Sequence, residues 1–192
     1  LAAALDDPRR LGQVSGLLAE QFRFMGAYDQ ASAAAQRALT LATASGEVVR
    51  QAQANQRLGF AYQAQGDYRR AIDCLRQSLV GFDGAPRREH WGQVILPAVL
   101  SRAYLAWCHA ELGTFTEGRT LGDEGLRIAE EVDHPGSLMY AYHGIGLLAL
   151  RQGDLPRALP WLERAVGLNH DADLPLFFPW IAAALGTAYA LA

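Results

Sequence analysis

The chain has 192 residues, 51% of them hydrophobic, and a formal net charge of −3. This length allows a buried core without disulfides, and no apolar run is long enough to cross a bilayer. Lysine is absent, which excludes chemistry that needs a lysine amine, and the arginines are scattered rather than clustered. We therefore expect no nucleic-acid partner and no membrane partner, and we predict a cytoplasmic protein.

Glycines recur along the chain at a nearly regular interval. The recurring positions, separated by 40, 47 and 40, are Gly26, Gly66, Gly113 and Gly153. Each lies between an apolar helical stretch and a stretch rich in small residues. Such self-similarity is typical of chains that stack one pair of helices after another, and these chains usually bind partners.

The glycines divide the chain into repeats with one longer connection, at residues 83–90, which the sequence predicts to be a loop. The predicted repeats, of which the last is cut short, are approximately 9–46, 47–83, 90–133, 135–171 and 175–192. An array cut within a repeat is expected to be a piece of a longer protein, because terminal repeats normally carry a polar outer face. Any dimer through that end would then be an artefact of truncation.

The second repeat has the clearest pattern. Leu58 and Tyr62 are i,i+4 neighbours on one helix face, and Gly59 leaves room for close approach of a second helix. Gly66 can adopt the left-handed conformation that ends a helix, and Asp67 can cap the next one. The pattern predicts two antiparallel helices joined by a tight turn.

These positions resemble the tetratricopeptide repeat (TPR) pattern, and the resemblance extends over essentially the whole chain. The matching positions of the second repeat are Asn55, Leu58, Gly59, Tyr62, Gly66, Asp67, Tyr68, Ala71 and Leu75. The resemblance implies an all-α fold, a right-handed superhelix of antiparallel helix pairs (a TPR solenoid) with about four and a half repeats. It also implies a non-catalytic protein-interaction module.

The third repeat departs from the TPR pattern. Gly118 and Gly122 stand where an alanine and a large residue are usual, which predicts a loosely packed second helix. Thr114 and Glu117 have the spacing of a capping box at the start of that helix.

Prolines are expected to bend two of the predicted helices. Pro97 and Pro160 lie inside them, and each removes one backbone hydrogen bond. Pro156 falls in a first helical turn, where proline is tolerated.

The sequence offers little for catalysis or metal binding. Cys74 and Cys108 are isolated within predicted helices, which is typical of small buried hydrophobic residues rather than of a disulfide. His170, Asp171 and Asp173 have ligand-type side chains in a loop, but no second cluster supports a metal site. We therefore predict no cofactor, no metal and no enzymatic activity.

The TPR resemblance also indicates which side chains line a concave groove, because the first helix of each repeat faces it. The residues expected to contact a partner there are Arg23, Gln56, Phe60, Gln63, Trp107, Glu111, Tyr140, His143, Arg151 and Trp180. Aromatic residues and arginine are enriched at binding hot spots, so a protein or peptide segment is the expected ligand. In the alternative interpretation, longer helices cover this face, and Trp107 and Trp180 only pack on neighbouring repeats.

The second half of the chain carries a further resemblance. Its segments are Ala106–Gly113, Arg127–Glu130, Val132–Pro135, Leu150–Leu155 and Pro175–Trp180. They are similar to the C-terminal, long-repeat TPR regions of bacterial multidomain signalling proteins, in which an adenylate/guanylate cyclase domain and an ATPase module precede the repeats. That resemblance implies a signalling role within a larger bacterial protein, whose own domains are then candidate partners.

Other functions remain open beside the peptide-binding scaffold. One is a small-molecule sensor domain of a regulatory protein, and another is an α-helical enzyme, which would need acidic pairs converging in the groove. A deep, enclosed pocket near Tyr140 and Trp180 would favour the sensor, whereas an open groove would favour peptides.

Overall fold

The computed structural model describes residues 7–83 and 85–192, and every regular element within those ranges is helical. Gly84, part of the predicted loop, lies outside the described residues. The α-helices are α1 (Pro8–Phe24), α2 (Tyr28–Ala44), α3 (Val48–Ala64), α4 (Tyr68–Phe82), α5 (Pro97–Glu111), α6 (Phe115–Val132), α7 (Pro135–Gln152), α8 (Leu155–Asp171) and α9 (Phe178–Leu191). A short 3-10 turn, Ala85–Arg88, precedes α5. The predicted all-α fold is confirmed.

The helices form two compact units. The first unit ends at Pro86 and holds α1 to α4, and the second, Arg87–Ala192, holds α5 to α9. In the first unit, α1 packs on α2 and α3, and α3 packs on α2 and α4. In the second unit, α7 packs on α5, α6 and α8, and it also contacts α9. The contacts of α7 with α5 and α9 bring together the first helices of successive pairs, which positions the candidate site.

Left-handed glycines end the first helix of each pair. The four spaced glycines all have φ between 73° and 81°, and they are Gly26, Gly66, Gly113 and Gly153. After the second of them, the Asp67 N–H donates to the Tyr62 carbonyl at 2.9 Å and closes the helix end. The glycine spacing therefore predicts these turns correctly.

The caps of the second helices follow the prediction in one case and not in another. As expected, Asp67 Oδ1 accepts from the Arg70 N–H at 3.2 Å. Thr114 occupies the corresponding position of α6, but its side chain makes no cap bond. Its hydroxyl donates to the carbonyl of His109 at 3.2 Å instead, so the predicted capping box with Glu117 is wrong.

Replacing the cap residue is expected to weaken the first unit. Asp67→Ala should lower the free energy of unfolding by about 1 kcal/mol, because the Arg70 N–H loses its acceptor. Urea denaturation followed by circular dichroism measures this change. Asp73→Ala, at an exposed position inside α4, is the matched control and should change stability by less than about 0.5 kcal/mol. Equal losses in both variants would contradict the capping role.

Helix α6 is tightly packed, in contrast to the prediction. A Cβ atom on Gly118 would lie 2.6 Å from Leu148 Cδ1 on α7 and 3.2 Å from the Ala106 carbonyl oxygen on α5. A Cβ atom on Gly122 would lie 3.1 Å from Ile145 Cγ1. The unusual glycines therefore allow α6 to approach both of its neighbours closely, and they do not loosen it.

The prolines occupy different parts of their helices. Pro97 is the first residue of α5, where its missing N–H costs nothing, so the predicted kink at this position is wrong. Pro160 does lie inside α8, and Pro156 falls in the first turn of that helix, both as predicted.

Small and aliphatic side chains fill the core of each unit. In the first unit, Ala19, Ala35 and Leu58 form a buried cluster against which Tyr62 packs. In the second unit, a larger cluster includes Leu162 on α8, which is fully buried. Within the described ranges, no helix combines the length and the apolar character that crossing a membrane requires.

Candidate functional site

The second unit has a pocket between the first helices of its helix pairs. Its lining comes from α5, α7 and α9 and consists of Ala103, Tyr104, Trp107, Tyr140, His143, Gly144, Leu147 and Trp180. A Cβ atom on Gly144 would lie 3.1 Å from Ala103 Cα, which shows how closely α7 approaches α5 beside the pocket. The empty space is about 270 Å³, including the part open to solvent, and it has room for about one water-sized group.

Aromatic contacts hold the walls of the pocket in place. Phe177 bridges two of them, because its ring lies 5.3 Å from the ring of Tyr140 and 5.6 Å from that of Trp180, both edge-to-face. On the other side, the rings of Tyr104 and Trp107 are 5.7 Å apart. Such pairs add stabilisation beyond burial alone, so the walls are preformed.

His143 is a buried polar residue in the lining of this pocket. Its side chain is 5% exposed, and its Nδ1 atom has no hydrogen-bond partner. Burial lowers the pKa of His143 to about 4, because desolvation penalises the charged imidazolium. At neutral pH the imidazole of His143 is therefore uncharged.

A small polar network lies beside the pocket. Glu111 Oε1 accepts from Trp107 Nε1 at 3.0 Å and from Arg151 Nε at 2.8 Å. The Glu111 side chain is half-buried, whereas that of Arg151 is 43% exposed. The network fixes the indole of Trp107 and leaves part of the Arg151 guanidinium accessible to a partner.

The residues expected from the first repeats lie in the first unit and have a different environment. Arg23 pairs with Glu20 at 2.7 Å, and its guanidinium lies 5.7 Å from the ring centre of Phe60. Phe60 and Gln56 are almost completely buried, and Gln63 is half-buried. Phe60 and Gln56 therefore offer little accessible surface to a partner.

Sequence reasoning missed two aromatic contributors to the pocket. Tyr104 precedes Trp107 by three residues on α5, and this i,i+3 spacing was the available signal. Phe177 supports Tyr140 and Trp180 from a position just before α9, where no helical periodicity points to it.

Burial governs the protonation of the two cysteine thiols. Burial raises the pKa of Cys74 to about 11 and that of Cys108 to about 12, so both remain protonated thiols at neutral pH. Cys108 is fully buried, as predicted, whereas Cys74 is half-buried. Among residues 7–83 and 85–192, no three His, Cys, Asp or Glu side chains lie close enough to hold a metal ion.

Comparison with known proteins agrees with this architecture. Residues 11–79 match the model of the tetratricopeptide repeat family. No curated protein sequence matches the chain significantly. The matched residues lie in the first unit. The similarity of the second unit to known proteins comes from the comparison of three-dimensional structures.

Several solved structures have a similar fold. BtubC (BKLC) from P. vanneervenii is 18% identical, with a TM-score of 0.70 over 99% of this chain and 77% of that one. A Podosopora anserina protein named for kinesin light chain, with nearly identical TPR-like repeats, is 21% identical, with a TM-score of 0.66 over 97% of this chain and 88% of that one. The apo form of RapI is 15% identical, with a TM-score of 0.69 over 89% of this chain and 60% of that one. The chain therefore has a TPR-like helical-repeat fold.

Proposed function

We propose that this chain is a non-catalytic binding module that holds an extended segment of a partner protein against the pocket of its second unit. The main observation behind this proposal is that Trp107, Tyr140 and Trp180 line one pocket, and that the partly exposed Arg151 lies beside it. Aromatic anchors with an arginine at the edge are the composition of interaction hot spots. Helical-repeat proteins in general bind protein or peptide segments along such surfaces.

The size of the pocket favours a side chain of a longer segment over a free small molecule. Sites for drug-sized ligands have volumes of roughly 300–1,000 Å³ and bury most of the ligand. Here the empty space of about 270 Å³ includes the part open to solvent, and it has room for about one water-sized group. A free ligand in this pocket would remain largely in solvent. A peptide segment, in contrast, can place one side chain in the pocket while its other residues contact the surrounding helices.

The state of the ionisable groups argues against the enzyme alternative. The thiols of Cys74 and Cys108 are not activated, because their pKa values are raised. Glu111, the carboxylate beside the pocket, is engaged by Trp107 and Arg151.

The proposal also includes the kind of protein to which the module belongs. The resemblance of the second half to the TPR regions of cyclase–ATPase proteins supports a role in a larger bacterial signalling protein in the cytoplasm. Within such a protein, the bound segment would come either from another protein or from another domain of the same chain.

Peptide selection against the whole chain tests the proposed function. Peptides from a displayed random library are selected on the wild type, and their affinities are then measured by calorimetry. The double variant Trp107→Ala/Arg151→Ala should bind the selected peptides at least about ten-fold more weakly, because it removes the anchor wall and the accessible guanidinium.

The second unit offers a matched control for this experiment. Trp161 stacks on Tyr142 with ring centres 5.3 Å apart, and Arg164 lies 5.1 Å from the centre of the Trp161 ring, so the same two residue types meet away from the pocket. Trp161→Ala/Arg164→Ala should leave peptide affinity unchanged. Equal affinity losses in the two double variants, or no loss in the pocket variant, would contradict the proposal.

A further inference from the structure

Arg57, on α3 of the first unit, is a half-buried arginine to which the fold gives no direct partner. It makes no hydrogen bond and no ion pair with any residue in the ranges 7–83 and 85–192. Burial lowers the pKa of Arg57, because desolvation penalises the charged guanidinium, and the more distant Glu20 carboxylate offsets part of this effect. Arginine stays charged at neutral pH, and buried charges in folded proteins are normally paired. This guanidinium therefore lacks the counter-charge that its environment requires.

The guanidinium lies against a glycine of the neighbouring helix. A Cβ atom on Gly16, in α1, would be 2.9 Å from Arg57 Nη1 and 3.3 Å from Arg57 Cζ. A side chain at this position would have to displace the group, so Gly16 provides the space in which the guanidinium lies.

The nitrogen atoms of Arg57 nevertheless reach the surface. None of the buried, unpartnered nitrogen atoms of the described residues belongs to Arg57. Since the Arg57 nitrogens have no hydrogen-bond partner, they are unpartnered and accessible at the same time. A ligand can therefore contact them without a rearrangement of the helices.

The charge of the two helices favours an anion. Together, α1 and α3 contain five arginines and a single acidic residue, Glu20. Arg23 pairs with Glu20 at 2.7 Å, and Arg50 pairs with Glu47, the residue before α3. Other arginines thus engage both carboxylates, and Arg57 is left for an anion from outside the unit.

The number of available guanidinium groups limits the kind of anion. The fork of one arginine matches the two oxygens of a carboxylate through two parallel hydrogen bonds. A phosphate group carries a charge of about −1.5 to −2 and three acceptor oxygens, which one guanidinium neutralises only in part. Arg57 is therefore better matched to a carboxylate than to a phosphate.

We propose that Arg57, lying beside Gly16, binds a carboxylate of a partner protein segment, with its guanidinium donating to the two carboxylate oxygens. The site belongs to the first unit and does not rest on the function proposed for the pocket of the second unit. The carboxylate comes from an acidic side chain or from a chain terminus, and the experiment separates these two sources.

Nuclear magnetic resonance of the whole chain, labelled with 15N-arginine, tests the assignment. The Arg57 Nε–H signal is identified by its loss in Arg57→Met. The probes are N-acetyl-glutamic acid α-amide, with a side-chain carboxylate, N-acetyl-glycine, with a terminal carboxylate, the uncharged N-acetyl-glutamine α-amide, and inorganic phosphate. We expect a carboxylate probe to shift the Arg57 signal and to bind at least about ten-fold more tightly than the uncharged amide.

The outcomes distinguish the sources of the anion. Tighter binding of the side-chain probe assigns the carboxylate to an acidic residue, and tighter binding of N-acetyl-glycine assigns it to a chain terminus. An Arg57 signal that neither carboxylate moves, equal binding of the uncharged amide, or tighter binding of phosphate would overturn the assignment.

Two substitutions separate a binding role from a structural one. Arg57→Met keeps an apolar stem and removes the charge, so it should weaken binding of the carboxylate probe at least about ten-fold. It should also raise the urea midpoint, because a desolvated charge without a counter-charge is lost. Arg10→Met, at an exposed arginine of α1 that pairs with Asp7, is the matched control and should leave probe binding unchanged. Equal binding by the two variants, or a lower urea midpoint for Arg57→Met, would overturn the proposal.

Discussion

Gly118→Val is expected to lower the free energy of unfolding by about 3 kcal/mol. A Cβ atom at this position would approach Leu148 Cδ1 to 2.6 Å, and the Ala106 carbonyl oxygen, which belongs to the backbone of α5, to 3.2 Å. A side chain can relieve a clash by changing its rotamer, but a backbone atom cannot. The helix α6 must therefore move away from α5 or from α7. These two helices supply most of the pocket lining, so the same variant should also weaken binding of the selected peptides.

Gly167→Val is the matched control for this prediction. Gly167 lies in α8 of the same unit, and a Cβ atom there would have no other atom within 4 Å. Glycine and valine differ little in helix propensity, so this variant should change the free energy of unfolding by less than about 0.5 kcal/mol. Urea denaturation of both variants measures the difference. Similar stabilities would show that the close approach at Gly118 does not constrain the second unit.

Lowering the pH from 7 to 4 is expected to remove about 3 kcal/mol of stability through His143 alone. The pKa of this side chain is about 4 when folded, against 6.5 for an unperturbed histidine. Between these values the unfolded chain binds a proton that the folded chain does not, so stability falls as the pH falls. Above about pH 6.5 both states are neutral, and the contribution is constant.

The difference between the wild type and His143→Leu isolates this effect. Other groups that titrate in acid, such as Glu47 and Glu131, whose pKa values are lowered by neighbouring arginines, are the same in both proteins and cancel. The free energy of unfolding of the wild type, measured by urea denaturation at several pH values, should fall more steeply than that of the variant. Parallel pH profiles would mean that His143 is accessible to protons in the folded chain.

The turns of this fold could be predicted from the sequence because their signals are local. Gly66 ends α3 and Asp67 caps α4, and both act on backbone groups within five residues along the chain. The same local logic failed at Thr114, which has the right residue type for a cap but finds a competing acceptor in His109. Local signals therefore determine where helices begin and end, except where a neighbouring group offers a better bond.

The distances between packed helices could not be predicted from the sequence, and the reason is different. The glycines of α6 look like helix-weakening residues when only propensity is considered. Their role depends on Leu148 and Ala106, which lie on two other helices, and on distances of a few ångströms that no spacing along the chain encodes.

Some features of the candidate site could likewise be predicted from the sequence, whereas others are visible only in the tertiary structure. The resemblance to the TPR pattern placed Trp107, Tyr140, His143 and Trp180 on the groove-facing side of the first helices. Only the tertiary structure decided that they meet at one pocket, that Phe60 is buried instead, and that His143 has an unpartnered Nδ1. The physical reason is that burial and hydrogen bonding depend on which helices pack against each other, and those helices are separated by whole repeats of sequence.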